Sequence, residues 1–571
     1  MKKLLYFSIF LFSFSFAQGQ SWIWGTQGSS KYGSAFAEGM GVAADNLGNS
    51  FGCGYFNGRI KIGNDTLRST SLVDRAYLIK YNQTGTVDWA EQSKGPGSCD
   101  ANGTTTDILN NVYSTGVFRK AVFFGPDTLI GSSSSYTYSY VVKYTTNGNV
   151  LWAEQSKNGK GSTSNGVCTD KNANTVITGN FTGPISFGTI VFASPGQSAF
   201  VVKYDSTGTP LWGVKPTNVK PIATSSGGYI AADSKNNLFV AGSFTSSIRI
   251  GPDTLTTLPL GGTGDMFIAK YKPNGTAVWA REATIYNLSD IVGPTGIAVD
   301  KYSNSYVTGV FMDSTSFGPY KLVAKGSPYD IFIVKYDSMG TIKWAKTAVV
   351  MDSSTWEAYS VAVDTNENLY ISLGGEGRYT FRIKYDTTVF LTHVGPLKDG
   401  ASVIMKLDTA GNLVCGSVVS GGGDDQNGVA CNAGGHYVYF GGDFWSNAQF
   451  GQDTLTMQAY EVPFMAEWLP CNTIIETGEQ PANSKGSVVV FPNPSKGVFT
   501  FSNRNYELGI RNIEVYNVMG EKVQTLSLQP QNPKGALIAV NLSAQPSGIY
   551  FYRVIDENGE LASEGKLIIQ K

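Results

Sequence analysis

The sequence predicts an all-β protein: a seven-bladed β-propeller closed by an N-terminal strand, followed by a small Ig-like β-sandwich. Three observations carry this. First, a short apolar run ending in Asp or Asn recurs at Asp45, Asp107, Asp170, Asp233, Asp300, Asp364 and Asn432, a period of 62 to 68 residues, which suits one β-rich blade per repeat. Second, about 36 residues after each landmark another apolar run ends in Lys-Tyr or its equivalent, from Lys80-Tyr81 to Glu467-Trp468. Third, 67 Gly and only 15% charged residues fit short strands and tight turns, and no segment has the 3.6-residue period of an amphipathic helix.

Residues 1–17 open with Lys2 and Lys3, continue through an apolar stretch from Leu4 to Phe16 and end Ser15-Phe16-Ala17. That order is expected of a secretory signal cleaved between Ala17 and Gln18. The stretch is short for a bilayer span, and no later segment approaches the roughly 20 apolar residues a span requires. Removing the signal takes the formal net charge from -1 to -3, since two lysines and no acid are lost. This near-balance, without a basic patch, excludes nucleic acid and an anionic membrane surface as electrostatic partners.

Residues 22–471 hold the repeats. The fifth copy shows four strand-length parts: Gly296-Ile297-Ala298-Val299-Asp300, Ser305-Tyr306-Val307-Thr308-Gly309, Ile331 to Tyr336, and Thr341-Ile342-Lys343-Trp344-Ala345. Polar turns such as Lys301-Tyr302-Ser303-Asn304 join the first two parts. The last two are joined by turns with a near-fixed glycine, from Gly85 to Gly411, and each Trp follows its Tyr by eight residues at Trp89, Trp152, Trp212, Trp279 and Trp344, with Cys415 in its place once. Constant spacing across a hairpin means fixed register, and these tryptophans are expected to pack between neighbouring blades.

The seventh copy lacks its Trp-bearing strand, and an unpaired Trp22-Ile23-Trp24-Gly25 precedes the first. Trp24 lies 21 residues before Asp45, within the internal Trp-to-Asp range of 18 to 21. The N-terminal segment is therefore expected to supply the outer strand of the last blade and remove an open edge. The six cysteines sit at non-equivalent places without a CxxC and are expected as buried free thiols; Cys415 and Cys431 would lie too far apart to pair.

Gly-Val-Ala-x-Asp followed by Asn-x-Tyr-Val-x-Gly, as in residues 296–309, resembles the SBBP-type β-propeller repeat of bacterial exported proteins. The resemblance implies an extracellular scaffold or binding module and no catalytic residues. The second copy, with Thr104-Thr105-Thr106-Asp107, and the longer sixth copy depart most from it.

A polar linker, residues 472–486, leads to a second domain at 487–571, whose short alternating runs suit an Ig-like sandwich. Its ordered motifs are Pro492-Asn493-Pro494 with Gly497, Val515-Tyr516-Asn517 with Gly520, Gly548 and Tyr550 in Pro-Ser-Gly-Ile-Tyr, and a terminal Lys566. They closely resemble the type IX secretion (type A) C-terminal sorting domain. The resemblance implies the type IX secretion machinery as partner, passage across the outer membrane of a Gram-negative cell, and removal of the domain afterwards.

The sequence offers little chemistry. The two histidines, His393 and His436, occupy places other copies do not share, and no nucleophile elbow, zinc helix or phosphate loop occurs. The repeated Asp is read as a turn cap, since each turn carries one Asp where a calcium loop spaces several oxygen ligands. No catalytic residue, cofactor or metal is assigned. Asp-Thr-Leu at 65–67, 127–129, 253–255 and 453–455 reads as a turn entering a strand, and also looks like a short bacterial O-glycosylation acceptor at the Thr. The leading expectation is a secreted or cell-surface binding module for a carbohydrate or protein. The alternative is an extracellular carbohydrate-active enzyme using carboxylates or tyrosines in a central channel; non-repeated polar residues there would favour it.

Overall fold

The computed structural model describes residues 21–29, 36–69, 73–220, 222–257, 264–286, 292–325, 329–351, 356–375, 381–385, 388–393, 401–420, 428–432, 435, 437–444, 447–450, 453–456, 462–470, 488–491, 495, 497–503, 510–518, 520–528, 537–559 and 561–569. The signal, with Ala17 and Gln18, the linker, His436 and Pro492-Asn493-Pro494 lie outside the described residues. The described residues are all-β, with no helix among them, and the chain divides into two compact units, Met1–Asn472 and Thr473–Lys571.

In the first unit the repeats build antiparallel sheets whose first four strands are ordered inner, second, third, outer, and the fifth and sixth sheets run on to six strands. The first consists of Ala37–Ala44, Ser50–Phe56, Arg75–Tyr81 and Val87–Gln92. The second to sixth begin with inner strands Cys99–Thr106, Ser162–Thr169, Thr224–Ala232, Val292–Val299 and Trp356–Val363. The seventh joins Gly428–Cys431, Val438–Phe444 and Val462–Leu469 to the N-terminal strand Ser21–Gln27, which pairs in antiparallel register with Gly25 opposite Ala466 and Gln27 opposite Phe464. Successive inner strands lie beside one another, and that of the seventh sheet lies beside that of the first.

Four seams between sheets share the same stacked Trp-Tyr pair, at Trp24, Trp89, Trp152 and Trp279. Trp279 stacks on Tyr336 of the next sheet, 6.3 Å between ring centroids, and donates to Ser338 O at 3.2 Å. Lys270 Nζ donates to that same carbonyl. Gly340, at φ +79°, lies under the indole, where a Cβ would come 2.7 Å from Trp279 Cδ2; a side chain is barred there by both backbone and packing. The pattern returns at Trp89 on Tyr144 and Trp152 on Tyr204. At the chain ends Trp24 donates to Gln83 O and to Glu467 Oε2, at 3.2 and 2.8 Å, so Glu467, standing where other copies have Lys, accepts the indole proton.

The four-part repeat is incomplete. Every copy carries a further short hairpin between its second and third strands, from Arg59–Ile62 with Asp65–Arg68 in the first to Ala448–Phe450 with Asp453–Leu455 in the seventh. Outside the sixth copy, whose hairpin strands have five and six residues, strands of three or four residues leave too little alternation to read from sequence. Each hairpin pairs with chain at or following the outer strand of the preceding sheet, as at Lys94 with Phe123, Lys157 with Ser186 and Thr284 with Ser316. Ser29 with Lys61 makes the equivalent link across the chain ends. Asp-Thr-Leu lies here: Leu67, Leu129, Leu255 and Leu455 are buried, while Asp65, Asp253 and Asp453 accept from the outer-strand amides of Ala90, Ala280 and Gly25. Thr128, Thr254 and Thr454 point outward and are exposed.

The expectation of free thiols holds for Cys53, Cys99, Cys168 and Cys431 and fails for Cys415, which is disulfide-bonded. Cys415 and Cys431 do not pair, because Cys431 is free. Replacement of the seam Trp by Cys415 was visible in the sequence, but its bonding was not, since the repeat alignment supplies no equivalent partner.

The second unit has a three-stranded and a four-stranded antiparallel sheet. Phe499, Phe501, Ile513, Val515, Val540 and Val554 belong to one buried core between them. Alternation places these side chains inward on successive strands.

Candidate binding channel

Six of the seven inner strands carry a β-bulge at the same height, each leaving one residue out of the ladder: Met40, Asn102, Asn165, Gly228, Thr295 and Tyr359. A bulged residue is free of pairing, and its side chain is re-aimed relative to the sheet. In four of the six the following residue is glycine, which explains the motif glycine at Gly296. A Cβ on Gly166 would lie 2.8 Å from Gly228 O, and one on Gly296 3.1 Å from Val361 N. Neighbouring inner strands therefore meet backbone to backbone.

The bulges line a cavity of about 620 Å³ bounded by residues of all seven inner strands. Its wall is uneven. On the side of the second and third sheets, Asn102 and Asn165 donate their amides to Ser164 O and Gly227 O, at 2.9 and 2.8 Å, and so tie each strand to the next. Across the fourth to sixth sheets the lining includes Tyr229, Thr295, Glu357 and Tyr359. Thr295 Oγ1 is buried without a hydrogen-bond partner among the described residues. Tyr229 is 36% exposed to the lumen, yet enclosure by protein, with the Glu357 carboxylate adding to it, pushes its hydroxyl up to about 12.

Two residues before the bulge the strands carry Glu38, Asp100, Thr163, Ser226, Gly293 and Glu357. Burial, then the carboxylates of Asp74 and Glu38, pushes Asp100 up to about 7 against the pull of Arg119. Among the described residues no group of three His, Cys, Asp or Glu side chains could hold a metal.

The repeated Asp residues lie elsewhere and are turn caps. Asp300 accepts the amides of Tyr302 and Asn304 on Oδ1, both at 2.9 Å, and the Asn304 amide and Tyr306 hydroxyl on Oδ2, at 2.7 and 3.0 Å. Asp170 has a similar cage. Burial pushes its carboxyl up, but Lys203 Nζ at 2.7 Å and the Asn174 donors outweigh this and hold it below the usual range. His393 ends the inserted strand Thr388–His393. Sequence reasoning missed Tyr229, Glu357 and Tyr359. Their only signal was non-repetition between one Trp and the next Asp.

In the second unit, Gly497 at φ +110° lies where a Cβ would come 2.6 Å from Ser543 Cα. Gly520, at φ +80°, closes the Asn517–Glu521 turn. Gly548 opens the strand Gly548–Asp556, the buried Tyr550 of that strand donates to Pro546 O at 3.0 Å, and Lys566 lies opposite Phe551.

Residues 489–570 match the family described as the secretion system C-terminal sorting domain. The C-terminal unit thus carries a type IX secretion sorting domain, and the protein is secreted or held at the cell surface of a Gram-negative bacterium of the Bacteroidetes type. An uncharacterized WD repeat-containing protein, L264, of Acanthamoeba polyphaga mimivirus is 25% identical over 206 residues, 30% of this chain and 14% of that protein. The chain thus spans only a small part of the curated relative it matches. Among solved structures, a protein of unknown function from Dyadobacter fermentans is similar at 8% identity and a TM-score of 0.38, covering 79% of this chain and 99% of that one. The polysaccharide lyase Uly1 is similar at 10% identity and a TM-score of 0.39, covering 74% and 88%. In addition, no helix among the described residues is long and apolar enough to cross a membrane.

Proposed function

We propose that residues 22–471 form a seven-bladed β-propeller of SBBP type closed by the N-terminal strand, and that residues 487–571 form an Ig-like sorting domain. On this reading the signal at 1–17 is removed, the type IX machinery exports the chain, and the mature protein is an extracellular binding module that takes its ligand, a carbohydrate or a protein segment, in the channel. The carrying observation is the ring of bulges: scaffold positions repeat from sheet to sheet, whereas six bulges present five residue types, with only Asn recurring, at Asn102 and Asn165.

The non-repeated polar residues of the channel favour the second reading, a carbohydrate-active enzyme. Binding accounts for them better. Glycoside hydrolysis by the usual route needs two carboxyl groups across the bond, and Glu357 is the one carboxylate among the described lining residues. A tyrosine hydroxyl held near 12 is a poor general base at neutral pH. Screening the purified protein on glycan and peptide arrays, with product analysis alongside, decides the matter. Retention of unmodified ligand supports binding, and turnover of a glycan overturns it in favour of the enzyme. Export is tested separately: a chain lacking residues 487–571 should accumulate in the periplasm, and undiminished surface delivery would refute the assignment.

A further inference from the structure

We propose that the outward face of the four-stranded sheet in the sorting domain, centred on Phe551, is the surface by which the export machinery recognises the chain, and that its partner is a protein cleft lined by apolar side chains and edged with carboxylates. This rests on the type IX machinery exporting the chain. Most of the described motif residues serve the fold. Gly497 lets two segments approach, Gly520 closes a turn, and Tyr550 is buried with its hydroxyl on Pro546 O. A partner cannot read residues that hold the interior, so recognition falls to what the folded domain leaves outside.

The strand Gly548–Asp556 is apolar on both sides. Alternation turns Tyr550, Tyr552 and Val554 into the core and leaves Ile549 and Phe551 outward, 43% and 46% exposed. A sheet with one solvated face carries polar residues there, whereas a strand apolar on both faces is one that is covered on both. The neighbouring strands extend the patch. Tyr516 of Ile510–Asn517 and Lys566 of Leu561–Ile569, both motif residues, lie opposite Phe551 on either side, and Ile568 lies opposite Ile549. Lys522, on the strand Lys522–Ser527, lies opposite Tyr516 and sits 5.7 Å from its ring centroid. A row of Lys, Tyr, Phe and Lys therefore crosses all four strands. The same face carries Arg553, opposite Glu514 and Glu564, so three cations stand against two carboxylates. The complement is apolar at its centre and acidic at its edge. A second copy of the chain would set the same cationic excess against itself, since a two-fold contact joins like patches.

The test expresses the full chain in a Gram-negative host of the Bacteroidetes type as wild type, Phe551→Glu, Phe551→Thr and Ser527→Glu, beside the chain lacking residues 487–571. Surface and periplasmic fractions are measured by protease accessibility on intact cells. Phe551 lies outside the buried core and Thr suits a strand; circular dichroism and melting of the purified chains check folding. Expected are a surface fraction lowered about tenfold or more in Phe551→Glu, a smaller loss in Phe551→Thr, accumulation of both in the periplasm, and normal delivery of Ser527→Glu, an exposed position on the edge strand. Folded Phe551 variants delivered like wild type while the truncated chain is retained would overturn the inference and leave the export reading standing. Undiminished delivery of the truncated chain would overturn both. A loss in Ser527→Glu equal to that in Phe551→Glu, or failure of both Phe551 variants to fold, would remove the special role of this face. Sedimentation of the wild type as a dimer that Phe551→Glu splits, with export unchanged, would make the face a contact between copies and overturn the inference.

Discussion

The outer half of each sheet and its inner strand obey opposite rules. In the outer half the same residues recur with the same partners: Trp on the next Tyr, Lys and Trp on one carbonyl, Gly under the indole. On the inner strand the backbone recurs, bulge included, but the bulged residue varies, being Met, Asn, Asn, Gly, Thr and Tyr in the six bulged strands. Repetition thus marks the groups whose partners recur from seam to seam, and variation marks positions with less of that duty. Stability and recognition should separate along the same line.

The largest break is at the chain ends. Deleting Ser21 to Gly25 removes Trp22, Trp24 and most of the strand paired with Val462–Leu469, and should lower the melting temperature by on the order of ten degrees or more. An unchanged melt would show that the seventh sheet does not need its fourth strand. Next, Trp279→Ala should cost about 3–5 kcal/mol by denaturant unfolding, because it empties a seam in which Trp279 is 4% exposed.

Asp170→Asn tests the turn cage at about 2–3 kcal/mol. Asp170 is held below its ordinary value, so its contribution is present above the unfolded carboxyl range and lost as pH falls through its folded value. The variant should differ most from wild type at neutral pH and least in acid. Asp100 has the opposite sign. Its pKa is raised from 3.8 to about 7, so wild-type stability should decline between those values as pH rises. Asp100→Asn should flatten that decline, gaining most at pH 8; melts at several pH values would show it, and an undiminished slope would place the effect elsewhere. The smallest effect on stability is expected for Tyr359→Ala, within about 1 kcal/mol, together with loss of ligand. A large loss of stability there would erase the distinction between inner and outer positions.

Much of this architecture was legible because a repeat states the same fact seven times. Asp300 capping its turn, Trp279 at a seam and Trp24 serving the last sheet all follow from spacing, since each obeys local turn chemistry or a fixed hairpin register. The inserted hairpins were not legible: their short strands, mostly of three or four residues, are fixed by pairing with the preceding sheet, an interaction with no local signature. Nor was the channel. Glu357 and Tyr359 look like any residues of an alternating strand until the bulge turns them toward a cavity bounded by six other strands.

The sequence by itself determined the all-β class, the repeat, the N-terminal strand as completion of the last sheet and the sorting domain, because periodicity, turn residues and ordered motifs are local and additive. Tertiary structure alone decided that Cys415 is bonded, that the motif glycine serves close approach between inner strands, and that Tyr229, Thr295, Glu357 and Tyr359 share one cavity. Each of these depends on which distant strands become neighbours, and proximity across a seam leaves no mark on the spacing within a chain.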